Sequence, residues 1–424
     1  MTEYPRLMKS LGILISVACA SVIMSSSITA QTAPQFGSSL KQPKVEVSQK
    51  TGAPTRPRND AAGLPPPDDI IRVDTSLVSL DVTVTDASGH YVNGLAKDDF
   101  TVVEDNQAQT VNTVTLGDDT ARLPRSIVLI FDRSDSELPY LEASIEAAKS
   151  LVNQLTPSDE MAIVTDDIEL ATGFTKDKKK LKRTLDSLKK LTLTGFHTRS
   201  MQFSALLATL RELIDTRTKR AIVIFQTDGD EATRLGPGGQ QRQSNYDMDT
   251  VYLEVEKSRI KLYTVVPGES LLGVPKDEVA ERVKLILEKG QLARAKYKDM
   301  WYGYQRLPPK AQTNSGGSVF PEDLLRKARE KMFAIVCEGL LRGQTAAARV
   351  AELTGGWTSF LEKPEQAHEI YGRILADINH RYILSYYPTN KELDGKLRRV
   401  RIEVRGHPDY AVQGRTSYYA TTPD

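Results

Sequence analysis

Ser126-Ile127-Val128-Leu129-Ile130-Phe131-Asp132-Arg133-Ser134-Asp135-Ser136 is the stretch on which the reading of this chain turns. Six residues without a charge fit a strand covered on both faces, as in a parallel sheet flanked by helices. The strand stops abruptly at Asp132, and the next residues set a carboxylate and two hydroxyls at alternate positions, Asp-x-Ser-x-Ser. Loops that follow strands of an open α/β sheet are where such sheets bind ligands.

Working outward, the alternating order of a doubly wound sheet is repeated. Residues 139–155 read as a helix, 161–165 as a strand, and Leu181, Leu185 and Leu188 line one face of a second helix. A helix over 202–214 precedes a second buried strand, 221–225, which runs into Thr227-Asp228-Gly229-Asp230. Strands at 261–266 and 357–361 and a closing helix at 365–378 complete a Rossmann-like, mostly parallel α/β sheet. Residues 270–343 are too many for a connection and carry helical periodicity, so they are expected to form a helical insertion. In that insertion Tyr297, Trp301 and Tyr304 fall at helical spacing, as a contact surface or as the lobe's own core.

Both flanks change period from helix to strand. Residues 69–118 alternate apolar and polar, with Val78, Leu80, Val82 and Val84 on one face, and form a small sandwich-like or immunoglobulin-like β segment. Residues 381–424 read as a second β segment. Neither can cover its own apolar face, so the two are expected to pack together or to cover the central domain. Residues 31–68, rich in Pro, Ser, Gln and Gly, read as a disordered linker. Residues 1–30 have Arg6 and Lys9 ahead of an apolar run from Leu11 to Met24 and small residues before Ala30, the pattern of a signal peptide. The run is shorter than the ~20 residues a spanning helix needs. Removal of the signal would leave Cys337 as the one cysteine, in an apolar stretch that suggests a buried, inert thiol and rules out an internal disulfide.

The charges balance, 56 basic against 55 acidic, so no global field steers nucleic acid or anionic lipid. The basic helix with Lys178, Lys179, Lys180, Lys182, Arg183, Lys189 and Lys190 also carries the leucine stripe, which favours a solvated face over a nucleic-acid surface. The remaining chemistry is made of oxygen atoms. Asp132, Ser134 and Ser136 follow one buried strand, Asp228 follows another, and Thr198 lies on the loop before a helix, so three loops from one sheet edge carry ligands suited to a hard cation such as Mg²⁺.

With those residues in place, the sequence resembles the von Willebrand factor type A domain and its metal-ion-dependent adhesion site, over about residues 123–380 without the insertion. Val82-Thr83-Val84-Thr85-Asp86, Leu95-Ala96-Lys97-Asp98-Asp99-Phe100 and Tyr386-Tyr387-Pro388 are similar to segments of bacterial exported proteins that carry a related domain. The resemblance implies that Ser134, Ser136 and Thr198 would ligate Mg²⁺ directly, with Ca²⁺ or Mn²⁺ as alternatives. Asp132 and Asp228 would act largely through water, leaving one position for the carboxylate of an Asp or Glu on a protein partner. It implies an exported, periplasmic or extracellular adhesion or protein-binding module, with no anchor after signal cleavage, no nucleic-acid partner and no enzymatic activity.

Two departures are visible. Gly195-Phe196-His197-Thr198 is bulkier than the glycine-rich form common in the family, and Asp135 and Asp230 add carboxylates nearby. The rival readings are a degenerate domain whose Asp and Ser residues only cap turns within an envelope assembly, and a metal-assisted hydrolase with His197 as base. No Gly-x-Ser-x-Gly elbow, Walker loop or Cys-x-x-Cys pair supports the enzyme.

Overall fold

The computed structural model describes residue 40 and residues 77–116, 124–194, 200–214, 221–233, 247–304 and 322–421. The signal-like segment, nearly all of the linker, and the loop with Phe196, His197 and Thr198 lie outside the described residues, as do the side chains of Lys190, Tyr297, Trp301 and Tyr304.

The first strands are β1 (Val78–Thr85), β2 (Phe100–Glu104), β3 (Gln107–Gln109) and β4 (Val111–Leu116). The central domain then runs through β5 (Ser126–Phe131), α1 (Leu141–Gln154), β6 (Glu160–Thr165), β7 (Leu170–Thr175), α2 (Lys178–Thr194), α3 (Gln202–Ala208) and β8 (Ala221–Gln226). It continues with α4 (Met248–Lys257), β9 (Lys261–Pro267), α5 (Lys276–Tyr304), α6 (Glu322–Leu353), β10 (Thr358–Leu361) and α7 (Ala367–Asn379). The chain ends in β11 (Tyr382–Tyr386), β12 (Leu397–Val404), β13 (Ala411–Gly414) and β14 (Ser417–Tyr419).

The six-stranded sheet has the order β10-β9-β8-β5-β6-β7. All its pairs are parallel except β6 with β7. The chain therefore moves outward from β5 through β6 to β7, then returns to lay β8 on the other side of β5. That reversal is the topological switch point, and loops leaving the carboxyl ends of β5 and β8 face each other there. β5 is buried at every position, as its apolar run demands. One face of the sheet packs Ile127, Leu129 and Phe131 against α1, α7 and the leucine stripe of α2. The other packs Val128, Ile130 and Phe225 against α3, α4 and the last turns of α6. Leu40, within the stretch read as linker, is buried in this second layer and donates its N–H to Glu212 Oε2 at 2.8 Å.

Two elements escape the sequence reading. β7 is a short antiparallel edge strand interrupted by Gly173, and α4 has only three buried residues, Met248, Val251 and Val255, to announce it. The insertion contains two long helices, α5 and α6. Its small core of Leu271, Val279 and Val283 packs against Phe333, Val336 and Leu340. Cys337, expected to be buried, is half-buried at the edge of this small core, and Ile335 in the same stretch is exposed.

The terminal β segments fold as one body. One sheet has the order β13-β1-β11-β4, in which strands from the two ends of the chain alternate, and the other β14-β12-β2-β3, in which a pair from each end meets at β12 and β2. Leu80, Val82, Phe100, Val102, Tyr382, Leu384, Tyr386 and Val400 form the core between the sheets. This sandwich sits at the amino ends of the parallel strands, where Lys261, the first residue of β9, donates to Thr83 Oγ1 at 3.0 Å.

Candidate functional site

Register brings the oxygen-bearing loops together. Phe131 pairs with both Thr165 and Gln226, so the residues after β5, β6 and β8 leave the sheet side by side. Asp132 N–H donates to the Gln226 carbonyl at 3.3 Å, and Asp166 N–H to the Phe131 carbonyl at 3.3 Å. Asp132 forms the floor and is wholly buried. Ser134, Ser136 and Asp228 are half-buried, and Asp230 is exposed at the rim.

The side chains form a short oxygen chain. Ser134 Oγ lies 2.7 Å from Ser136 Oγ, and Ser136 Oγ donates to Asp228 Oδ2 at 2.7 Å. Asp132 Oδ1 accepts the Ser134 N–H at 2.8 Å and faces Ser200 Oγ at 3.4 Å. Gln202 Nε2 donates to Asp132 Oδ2 and, at 2.6 Å, to Asp228 Oδ1. Asp228 Oδ1 also takes the Asp230 N–H at 2.9 Å. Four of the five residues read from the sequence, Asp132, Ser134, Ser136 and Asp228, thus stand together. Thr198 lies outside the described residues, two positions before Ser200.

Behind this group lies a reserve of acids. Glu137 is wholly buried and accepts from Gln226 Nε2 at 2.6 Å through one oxygen, while its other oxygen has no hydrogen-bond partner among the described residues. Tyr371 Oη donates to Gln226 Oε1 at 2.7 Å, which fixes that amide. Arg133 turns away from the cluster toward Asp167, at 2.9 Å, and Asp166, at 3.5 Å. Burial pushes the Asp132 carboxyl well above the usual carboxylate range, and the charges of Asp166, Asp228 and Glu137 push it further. Burial also raises Glu137, which the Gln226 hydrogen bond only partly offsets.

The donor set fits a hard divalent cation. Ligands about 2.1 Å from an octahedral Mg²⁺ stand about 3.0 Å apart on adjacent positions, and the 2.7 Å spacings along Ser134, Ser136 and Asp228 are close to that. Among the described residues no group of three or more His, Cys, Asp or Glu is placed to hold a metal. A set made half of hydroxyls does not depend on such a group.

A second element touches the site from behind. Gly229 adopts a left-handed φ of +76°, and a Cβ there would fall 2.1 Å from the Gly343 carbonyl oxygen of α6. A Cβ on Gly343 would fall 2.9 Å from the carbonyl oxygens of Asp228 and Gly229. Only glycine at both positions lets the loop carrying Asp228 rest directly on the inserted helix.

Sequence reasoning passed over Gln202 and Glu137. Gln202 reads as the first residue of a helix, and Glu137 as one charge in a loop already rich in them. Their burial is the signal, and it is a property of the fold.

Neither a known protein family nor a curated protein matches the sequence. Solved structures do resemble the chain. The vWF domain of the type V pili tip protein Mfa5 from Porphyromonas gingivalis is 13% identical, over 44% of this chain and 98% of that one, with a TM-score of 0.27. Manganese-loaded TRAP protein from Plasmodium vivax is 11% identical, over 76% of this chain and 99% of that one, at 0.28. Proximal thread matrix protein 1 from the mussel byssus, with a zinc-occupied MIDAS motif, is 14% identical, over 41% and 46%, at 0.25. Scores of this size leave the fold resting on the chain's own sheet order and register. The structure of Mfa5 that resembles this chain is a vWF domain, and the chain's own sheet order and register make its central domain a doubly wound, mostly parallel α/β fold.

Proposed function

We propose that this is an exported, non-enzymatic binding protein whose central domain holds a divalent cation, Mg²⁺ first and Ca²⁺ or Mn²⁺ as alternatives. Asp132, Ser134, Ser136, Thr198 and Asp228 would hold it, and a protein partner would present an Asp or Glu to it. The observation that supports this reading is the convergence of Ser134, Ser136, Asp132 and Asp228, from two loops, on one point at the switch of the sheet. A bound cation would supply an electrophilic point for the partner's carboxylate. Serine hydroxyls neutralise none of its charge, so the chain's ligands leave it attractive to an outside anion. Burial of Asp132 keeps water from competing at the floor of the site.

A second reading has its own observation. Ser134 N–H to Asp132 and Asp230 N–H to Asp228 are the bonds of Asx turns, and a domain of this fold with a purely structural role in an envelope assembly would use them only to shape its loops. Calorimetric titration with Mg²⁺ and Mn²⁺, beside the Asp132→Ala variant, separates the two. Saturable binding that the variant loses, with its circular dichroism unchanged, is the expected result. No binding by the native protein would sink the cation reading and leave the structural one.

A further inference from the structure

Gln202 opens α3, and its side chain is wholly buried. Its amide nitrogen lies between two carboxylates carried by different loops, Asp132 and Asp228, and gives one proton to each. The opposite orientation of the amide would set its oxygen against two carboxylate oxygens, so the charges around it fix which end points inward. Its carbonyl oxygen Oε1 is buried and has no hydrogen-bond partner among the described residues. The side chain therefore leaves its acceptor unused in order to place both donors between the acids.

We propose that Gln202 is a neutral stand-in for the cation of the site: its amide donates to both Asp132 and Asp228, the acids that draw a divalent cation, and competition between amide and cation for these two acids sets cation affinity. This rests on the cation reading above. The amide carries two partial positive charges and no net charge, so it moderates the repulsion between the acids without cancelling it. A divalent ion drawn to the same oxygens displaces the amide and gives up only two hydrogen bonds in doing so. A monovalent ion, with half the charge, gains half the attraction for the same loss, so the same residue selects for divalent ions.

The test uses the full protein, native and as Gln202→Leu, with Mn²⁺ alone as the probe. Gln202→Asn is run beside it, because leucine against two carboxylates is the harsher change and asparagine keeps an amide too short to reach both. Mn²⁺ affinity is measured by calorimetry, and melting temperature in EDTA and in saturating Mn²⁺. The variants are expected to bind Mn²⁺ about tenfold tighter, to melt several degrees below native in EDTA, and to recover most of that gap when saturated. Equal or weaker Mn²⁺ binding in both variants, with saturable binding by the native protein, overturns the proposal and leaves the cation reading standing. Absence of binding in all three overturns the proposal and the cation reading together.

Discussion

The two ends of the central sheet both bury charge, and they treat it in opposite ways. At the amino ends, Lys261 meets Asp377 at 2.9 Å, and Tyr263 Oη donates to the same carboxylate. Arg125 holds Asp159 through Nε at 2.8 Å and Nη2 at 2.5 Å, and reaches Asn379 with Nη1. Burial alone would raise Asp159, but the Arg125 hydrogen bonds and the Thr156 N–H more than offset it and hold the carboxyl below its usual value. At the carboxyl ends Asp132, Glu137 and Asp228 share no arginine or lysine bond among the described residues, and Asp132 and Glu137 are pushed up. Balanced buried charge joins the sandwich to the sheet. Unbalanced buried charge of one sign is what a structure carries for something outside itself.

Three substitutions test that contrast. Lys261→Met has the largest expected effect, because it strands Asp377, which is nearly inaccessible; breaking a buried pair from one side costs about 3–5 kcal/mol. Urea denaturation should show it, and a loss within ~1 kcal/mol of zero would mean that the pair is solvated and the contrast false.

Gly343→Ala comes next. In an open helix the change gains up to about 1 kcal/mol, and Gly290 in α5, with nothing near its missing Cβ, should behave that way. At Gly343 the methyl meets the Asp228 loop, so a loss of about 1–3 kcal/mol is expected from overpacking. Matching effects at the two glycines would show that the loop does not rest on α6.

Glu137→Gln has the smallest effect and the opposite sign. A carboxyl raised in the fold keeps its proton while the unfolded chain loses it near pH 4, so stability falls as pH rises from about 4 toward the raised value. In EDTA the variant should therefore match native near pH 4 and be the more stable of the two at pH 8. Asp159, held low, runs the other way: its contribution is present above about pH 4 and is lost as pH falls through its folded value. A Glu137→Gln protein less stable than native at pH 8 would place Glu137 with the balanced group.

How far the sequence alone reaches follows from the range of each signal. The run from Ser126 to Phe131 and the stripe of Leu181, Leu185 and Leu188 are local, and they locate the sheet and its helices. Asp132, Ser134, Ser136 and Asp228 are legible because they lie on the loops that leave the buried strands β5 and β8. The two terminal β segments and their packing together are also legible, but the strand pairing is not, since pairing Val78 with Tyr386 joins residues from opposite ends of the chain and no window contains both. The edge strand over Leu170–Thr175 is missed because Gly173 interrupts a six-residue pattern. Gln202 is missed for a chemical reason: a search for ligands looks for anions and hydroxyls, and an amide acts here by donating.

The glycine pair has a mechanical side. α6 runs from Glu322 to Gly343 before it reaches the loop, and at ~1.5 Å per residue that arm is about 30 Å long. Where most helices bear on their neighbours through side chains that give, this one meets the Asp228 loop backbone to backbone. The rod has a hard bearing at its short end, so a load applied at the tip of the lobe would arrive at the loop undamped.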